Sequence, residues 1–356
     1  MAELLSYLER AVKDGASDLF FVAGGPVSEK LDNRLVRLGE ERLSTEASED
    51  LIQEIYAQAG RDMENFRRIG DDDFSFSVKH LARFRVNAYR QRGSMAAVVR
   101  VVSFDIPDWQ SMGIPPQVME LSKLTHGMIL VTGRAGSGKS TTQACLVDRI
   151  NQTRECHIIS LEDPIEYLHR NQKSIVSQRE IAIDTEDYHS ALRACLRQAP
   201  DVILLGELRD QETIHTAMTA AETGHLLIAT LHTRDAASTI ERIVDTFSGT
   251  TQQEQVRAQL SMALKTVISQ QLLPGTDGNL MPAFEIMHMT TGIQGLIRSG
   301  KLEQIDNQIS SGTNEGMISM DRSIAALCKA GKITAETAVA FAKNKDWMSR
   351  TGVAGR

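Results

Sequence analysis

The sequence predicts an α/β protein in which a parallel-sheet core follows a small α+β domain and precedes a helical tail. Four short apolar runs alternate with helix-like stretches, as in a parallel sheet covered on both faces. Segments with two-residue alternation dominate the first hundred residues, and apolar residues return to helical spacing after about residue 285. At 356 residues the chain also exceeds the size at which a single core stops growing.

The first predicted domain covers residues 1–102 and combines helices with a mainly antiparallel sheet. It begins with an amphipathic helix around Leu4, Leu5 and Leu8, and a second helix is expected from Ser48 to Ala59. Its strands are expected at Leu19–Val22, Phe74–Val78, Ala82–Tyr89 and Ala96–Val102. Three prolines and one glycine then predict an interdomain linker over residues 103–117.

The second predicted domain covers residues 118–285 and contains the parallel sheet. Its strands are expected at Met128–Val131, Cys156–Leu161, Val202–Leu205 and Leu226–Leu231. A C-terminal helical region is predicted over residues 286–356, where Ile293, Leu296, Ile297, Leu302 and Ile305 recur at helical spacing.

Composition excludes several classes of function. The net charge of −7 argues against nucleic-acid binding. The first ten residues carry acids where a signal peptide is basic, and no run of about 18 apolar residues occurs. A cytoplasmic protein without direct membrane insertion is therefore expected. The four cysteines form no C-x-x-C pair and the histidines no H-E-x-x-H motif, so any metal should arrive with a nucleotide.

A phosphate-binding loop of the form G-x-x-x-x-G-K-[ST] stands between a predicted strand and a predicted helix. In this motif backbone N–H groups cradle phosphates, the lysine neutralises them and the hydroxyl ligates Mg²⁺. Lys139 and Ser140 fill these two roles. The predicted nucleotide-binding residues are Gly133, Arg134, Ala135, Gly136, Ser137, Gly138, Lys139, Ser140 and Thr141. ATP is favoured over GTP because no N-K-x-D motif follows, while a small-molecule kinase remains an alternative.

Acidic residues follow two of the apolar strands. Glu162, Asp163 and Glu166 come after one strand, and Glu207 follows the next. The carboxyl ends of parallel strands line one crevice, so these acids are expected near the phosphates, where they can hold hydrated Mg²⁺ or activate water. Glu162 and Asp163 could instead begin a helix, and Glu207 could lie in a solvated loop.

Four motifs in the family's order resemble the secretion and type IV pilus ATPase superfamily. These are the Walker A motif Gly133–Thr141, the Asp box Leu161–Tyr167, the Walker B motif Leu196–Asp210 and the His box Ala221–Thr233. The short N-terminal domain and Val176–Glu180 resemble PilT/PilU-type retraction ATPases in particular. The tail departs from that group, since Thr291–Arg298 stands where it typically carries A-I-R-N-L-I-R.

The resemblance implies a RecA-like P-loop core with a parallel sheet, preceded by a PAS-like α+β domain and followed by a helical tail. It also implies a hexameric ring with nucleotide between the N-terminal domain and the core. Glu166 matches the catalytic glutamate, and Glu207 matches the Walker B acid, which holds Mg²⁺ partly through water. His225 and His232 match histidines thought to sense the γ-phosphate or the subunit interface; by themselves they would be interpreted as structural.

Two of three arginines on the N-terminal strands complete the expected site. Arg85 and Arg100 match positions that reach the phosphates in this superfamily, and Arg83 lies nearby. A permanently charged planar donor on a mobile domain can couple phosphate charge to domain angle. The alternative is a solvated strand face.

The resemblance implies an ATP-hydrolysing motor that drives type IV pilus disassembly and twitching motility. Its expected partners are other copies of itself, an inner-membrane pilus platform protein and a paralogous retraction ATPase. Its expected location is cytoplasmic, peripheral at the inner face of the cytoplasmic membrane. The alternative is an accessory or regulatory nucleotide-binding subunit with slow turnover.

Overall fold

The computed structural model describes residues 2–31, 34–102 and 105–350, which form two compact units. The N-terminal unit runs to Asp105 and also includes Glu166–Leu168, while the core unit contains the rest. The predicted fold class is confirmed: an antiparallel sheet comes first along the chain, a mostly parallel sheet second and helices last. Ser103 and Phe104 of the predicted linker, and residues 351–356 of the predicted tail, lie outside the described residues.

The N-terminal unit is built on a six-stranded antiparallel sheet in the order β3-β2-β1-β6-β5-β4. Its elements are α1 (Ala2–Asp14), β1 (Asp18–Val22), β2 (Ser28–Leu31), β3 (Arg34–Arg37), α2 (Thr45–Ala59), α3 (Glu64–Ile69), β4 (Asp71–Val78), β5 (Ala82–Gln91) and β6 (Ser94–Val102).

Alternation along the strands gives this sheet one apolar face and one polar face. On β5, Phe84 and Val86 are fully buried in a core that also contains Ile52 and Ile55 of α2. The intervening residues of β5 point to the opposite face because strand side chains alternate. Arg85 pairs directly with Arg100 of β6, so both arginines lie on that polar face.

The core unit continues the chain with further strands and helices. They are α4 (Pro116–Glu120), β7 (Gly127–Thr132), α5 (Lys139–Thr153), β8 (His157–Glu162), β9 (Ile175–Glu180), α6 (Tyr188–Cys195), β10 (Val202–Leu205), α7 (Gln211–Glu222), β11 (Leu226–Leu231), α8 (Ala236–Asp245), α9 (Thr250–Ala263), β12 (Leu264–Pro274), β13 (Leu280–His288), α10 (Thr291–Ser299), α11 (Ile305–Ser311), α12 (Met320–Lys329), α13 (Ala335–Phe341) and α14 (Lys345–Arg350).

The core sheet has seven strands in the order β13-β12-β7-β11-β10-β8-β9, and only β13 is antiparallel to its neighbour. Successive residues of β7 enter different apolar clusters, Met128 and Leu130 on one face and Ile129 and Val131 on the other. Burial on both faces explains why the central strands read as unbroken apolar runs.

Strand β12 was not expected from the sequence, and it lies beside β7. A bulge places one extra residue between Leu264, which pairs with Met128, and Thr266, which pairs with Ile129. Gly127, at the start of β7, has φ 102°, and its lack of a side chain leaves space for the bulged Lys265, whose side chain would lie 2.5 Å from a Cβ there.

The C-terminal helices pack on the far end of the β12–β13 hairpin. Leu273 and Ala283 of the hairpin share an apolar cluster with Ile324, Ala338 and Met348. The predicted end of the core at residue 285 falls inside β13, which extends to His288. Nowhere within residues 2–31, 34–102 and 105–350 is a helix long and apolar enough to span a bilayer.

Glu285 is a buried carboxyl group on β13. It is 2% exposed, and its Oε1 accepts a hydrogen bond of 2.9 Å from the backbone N–H of Ala236 at the start of α8. Burial raises the pKa of Glu285 from 4.5 to about 7. Folding therefore favours the protonated form, and the stability that this provides is lost as pH rises from about 4.5 through 7.

Replacement of Glu285 by glutamine should remove this pH dependence while keeping the acceptor for Ala236. The difference in free energy of unfolding between the variant and wild type is expected to be larger at pH 8 than at pH 5, in favour of the variant, by on the order of 2 kcal/mol. Urea denaturation at both pH values measures the change, with the exposed Glu303→Gln as control. Parallel pH dependence in wild type and Glu285→Gln would contradict the assignment.

Candidate nucleotide-binding site

The predicted phosphate loop connects β7 to the first turn of α5. Gly138 has φ 86° and precedes Lys139, the first residue of the helix. Arg134, Ala135 and Gly136 are exposed at the tip of the loop, whereas Ser140 and Thr141 are half-buried in the first helical turn. The loop therefore presents its backbone at a helix N-terminus, the end that attracts anions.

Strand β12 lies directly against the two ends of the loop, at Gly133 and Gly138. A Cβ on Gly133 would lie 2.4 Å from the backbone oxygen of Gln270, and one on Gly138 would lie 2.7 Å from its Nε2. The Gln270 side chain also accepts a hydrogen bond of 2.8 Å from Thr142 of α5. At the end of β7, Thr132 donates a hydrogen bond of 3.0 Å to Ser269.

The polar groups inside the loop fit a phosphate chain. Ser137 Oγ is buried and has no hydrogen-bond partner among the described residues, although buried hydroxyls are normally paired. Lys139 is 8% exposed and its ammonium donates to the carbonyl oxygens of Gly133 and Arg134, at 2.9 and 3.0 Å. A positive charge is thus held at a loop with a hydroxyl to satisfy, so the residues fit a nucleotide.

A charged cluster stands at the same edge of the sheet, where β10 and β11 end. The Glu207 carboxylate, 14% exposed, contacts the Arg209 guanidinium and lies 3.0 Å from His232 Nε2. Arg209 also reaches toward Asp163, at 3.9 Å. Ser140 carries a hydroxyl and Glu207 a carboxylate, the kinds of oxygen donor that Mg²⁺ takes in nucleotide sites, so the chemistry of these residues fits this ion as well.

His232 is neutral at physiological pH. Partial burial, together with the positive charges of Lys139 and Arg209, lowers the pKa of His232 below 6.5. Because an ionised carboxylate can only accept, the neutral ring donates its Nε2–H to Glu207. His232 is thus hydrogen-bonded to the acid that follows β10 and lies within the electrostatic influence of Lys139 in the phosphate loop.

The Asp box is held by neighbouring strands. Glu162 Oε1 accepts hydrogen bonds of 2.6 Å from Ser160 and 3.2 Å from Gln178 of β9. Glu166, the expected base, is exposed and belongs to the short segment grouped with the N-terminal unit.

His225 is not brought to this cluster within one subunit. It precedes β11, whereas His232 follows it, so the six-residue strand separates them by about 20 Å. Its ring lies 3.0 Å from the carbonyl oxygen of Ala220, and its own carbonyl accepts from Gly127 at the start of β7. Its surroundings are those of a structural histidine.

The arginines of the N-terminal unit are paired with aspartates on their own sheet. Arg85 makes two hydrogen bonds to Asp73, at 3.0 and 2.6 Å. Arg100 donates to Asp18, which lies opposite it on β1, at 3.0 Å. Arg83 occupies the same face of β5.

Sequence reasoning missed three contributors to the site, namely Gln270, Ser269 and Arg209. The first two lie about 130 residues from the loop they support, on a strand that was not predicted. A signal existed for Arg209, which lies two residues after the predicted acid in the Walker B motif.

Comparisons with known proteins place these features in a family. A model of the Type II/IV secretion system protein family matches residues 2–314. The type IV pilus retraction ATPase PilT of Pseudomonas aeruginosa is 41% identical over 343 residues, covering 96% of this chain and 98% of that protein. The type IV pilus ATPase PilU of the same organism is 36% identical, covering 96% and 88%.

A solved structure gives the same relationship. The crystal structure of the pilus retraction motor PilT with bound ADP has a TM-score of 0.88 and 43% identity, covering 98% of this chain and 99% of that chain. The likeness therefore extends through both units of the chain.

Alanine substitutions at two glycines of the phosphate loop should show how much contact with β12 adds to the effect of backbone strain on ADP binding. Gly133→Ala, at φ 146°, adds a Cβ against the Gln270 carbonyl to the backbone strain and is expected to weaken ADP binding more than about tenfold, whereas Gly136 faces open space. Gly136→Ala, at φ 74°, should incur only the strain of a left-handed residue, about 1 kcal/mol or fivefold. Titration with a fluorescent ADP analogue measures both, and equal losses would contradict the packing argument.

Proposed function

Because the chain belongs to the Type II/IV secretion system protein family, we propose that it is an ATP-hydrolysing hexameric motor that drives type IV pilus disassembly. The supporting observation is a phosphate loop with an unpaired buried hydroxyl, next to an acid–histidine–arginine cluster. It occurs in a chain 41% identical to a pilus retraction ATPase over nearly its whole length.

In the proposed reaction the core unit binds ATP and stabilises its charge. The loop N–H groups and Lys139 neutralise the phosphates, and Lys139 exchanges its loop carbonyls for phosphate oxygens. Ser140 and Glu207 would hold Mg²⁺, which would neutralise part of the phosphate charge. Glu166 removes the proton from the attacking water as general base, and His232 holds Glu207 in position.

The N-terminal unit contributes charge that depends on the nucleotide. Arg85 forms a bidentate, partly exposed ion pair with Asp73, so the guanidinium changes partner only for a group that binds it more strongly than this carboxylate does. A phosphate accepts the same pair of hydrogen bonds from the planar guanidinium and carries more negative charge than a carboxylate. Arg85 and Arg100 therefore favour closure of the N-terminal unit on the nucleotide while the γ-phosphate is present. Loss of the γ-phosphate on hydrolysis lets this unit open again.

A ring converts these closures into work. Each closure changes the surface that a subunit presents to its neighbours, so sequential hydrolysis passes a rotation around a hexamer. The proposed partners are other copies of the chain, an inner-membrane pilus platform protein that the ring turns, and a paralogous retraction ATPase. We place the motor at the inner face of the cytoplasmic membrane, held there through the platform protein.

Binding and chemistry should separate in two substitutions. Lys139→Ala is expected to weaken ATP binding and turnover together, because the ammonium contacts phosphate in both ground and transition states. Glu166→Gln should keep binding and lower turnover by about 10²- to 10⁴-fold, the usual contribution of a general base. Titration with a fluorescent ATP analogue and steady-state phosphate release with Mg²⁺ measure the two quantities.

The control is Glu155→Gln, an exposed glutamate before β8 at the opposite edge of the sheet. Wild-type turnover in Glu166→Gln would remove Glu166 as the base. Very slow phosphate release by the wild-type ring would instead favour the accessory-subunit alternative, and transfer to a small acceptor would favour a kinase.

Loss of Arg85 and Arg100 should make the angle between the two units independent of which nucleotide is bound. Replacing Arg85 and Arg100 by glutamine is expected to lower turnover by roughly 10³-fold or more, since such donors stabilise transition-state charge. It should also reduce the difference between ATP-bound and ADP-bound distances measured with paired labels on the two units.

A matched control removes two exposed arginines, Arg67 and Arg68, from α3 of the same unit. This control should preserve both turnover and the nucleotide-dependent distance. An unchanged nucleotide-dependent distance in the Arg85/Arg100 variant would refute the coupling.

A further inference from the structure

A lysine near the C-terminus is hydrogen-bonded to the loop that follows His232. Lys343 Nζ donates a hydrogen bond of 3.0 Å to Asp235 Oδ2 and lies 2.7 Å from Asp306 Oδ2. Asp235 is three residues after His232, whereas Lys343 and Asp306 belong to the C-terminal region. The contact therefore links sequence positions 108 residues apart.

Asp235 uses its two carboxylate oxygens for two different tasks. Oδ1 caps helix α8 by accepting from the backbone N–H of Ser238, while Oδ2 receives Lys343. Burial disfavours the charged form, but the hydrogen bonds from Ser238 and Lys343 outweigh burial and hold the pKa of Asp235 below its ordinary value. Asp235 is thus a permanent anion at neutral pH.

The loop between His232 and Asp235 is fixed through the same helix start. The hydroxyl of Thr239 donates to the Asp235 carbonyl oxygen at 2.7 Å and lies 2.6 Å from the hydroxyl of Thr233. Thr233 is the residue that immediately follows His232. The position of the helix start therefore sets the backbone from which His232 reaches Glu207.

Lys343 is itself held at a defined place. Its backbone N–H and that of Asn344 donate to the two oxygens of Asp321, at 2.7 and 2.9 Å. The preceding residue, Ala342, is buried in the C-terminal apolar cluster. Burial opposes its charge, yet the hydrogen bonds to Asp306 and Asp235 raise the pKa of Lys343 above its usual value.

Two acidic side chains depend on this one ammonium group. Asp235 and Asp306 contact it, and the carboxyl of buried Glu285 holds the N–H of Ala236 next to Asp235. Without Lys343, repulsion between Asp235 and Asp306 would act on the start of α8. Breaking a partly buried pair from one side leaves an uncompensated charge, which is more disruptive than losing the pair itself.

We propose that Lys343 is a positioning residue that holds the His232 loop in the geometry needed for hydrolysis. The proposal rests on the proposed ATPase function and adds a role for the C-terminal segment in it. Lys343 contacts neither the phosphate loop nor Glu207; it acts through Asp235 and the start of α8. Displacement of the C-terminal segment would release His232 from the acid that it orients.

The test uses Lys343→Met, which keeps an unbranched apolar stem, and Asp235→Asn, which keeps a helix-capping oxygen but loses the ion pair. Each is expected to lower kcat about tenfold with KM for ATP changed less than about twofold, since binding groups are untouched. Hydrogen exchange should rise in residues 233–239. The double variant should be no worse than either single variant.

Two controls give the result its meaning. Lys345→Met removes a neighbouring exposed lysine, and Lys343→Arg retains the charge; both should keep wild-type kcat and exchange. Unchanged kcat with unchanged exchange in Lys343→Met would overturn the proposal, as would a rise in exchange spread over the whole core unit. If the wild-type protein fails to hydrolyse ATP, the proposed function is wrong. Hydrogen exchange at residues 233–239 alone then decides whether the contact between Lys343 and Asp235 fixes this loop.

Discussion

Strand β12 lies so close to the phosphate loop that glycine is the only residue that fits at position 133. A Cβ there would overlap the Gln270 carbonyl, and Gln270 in turn receives Thr142 from the first turn of α5. Contacts within the protein therefore hold the loop, the helix start and the neighbouring strand together. The acids that end the neighbouring strands stand at fixed places relative to the loop because the parallel sheet sets their spacing. A preformed loop has little conformational entropy to lose on binding phosphate.

Two adjacent aspartates on β4 show how one strand serves both stability and function. Asp72 points inward, is 7% exposed and accepts from Tyr56 and Arg61, which fixes the end of α2 to the sheet. Asp73 points outward and pairs with Arg85. Strand alternation places the two carboxylates on opposite faces. The N-terminal sheet can therefore exchange partners on one face while the buried network on the other keeps its shape.

What could be predicted from the sequence depended on how local the signal was. Strands β10 and β11 were predicted at their observed limits because burial on both faces makes them almost entirely apolar, with Thr230 the one polar residue among the ten. Strand β12 escaped because α9 runs directly into it and because polar residues such as Ser269 and Gln270 interrupt it. Those polar residues are there to support the loop. The pairing of Arg85 and Arg100 with aspartates was equally hidden, since it depends on which strands are neighbours. By contrast, the separation of His225 from His232 follows from strand length alone.

The bulge at Lys265 fixes which side of β12 faces which neighbour. With the extra residue, Ser269 pairs with Thr132 and their hydroxyls meet. Without it, the strand would advance by one residue and apolar Ile268 would stand opposite Thr132, while the inward and outward faces of the strand would be exchanged. Which side chains of β12 face the phosphate loop is thus decided at Lys265, five residues before Gln270 and at the other end of the sheet. An insertion or deletion anywhere between Lys265 and Gln270 would reverse that orientation, whereas length changes in the β12–β13 turn would leave it intact. Length variation among descendants of this chain should therefore accumulate in the turn and be purged from the strand.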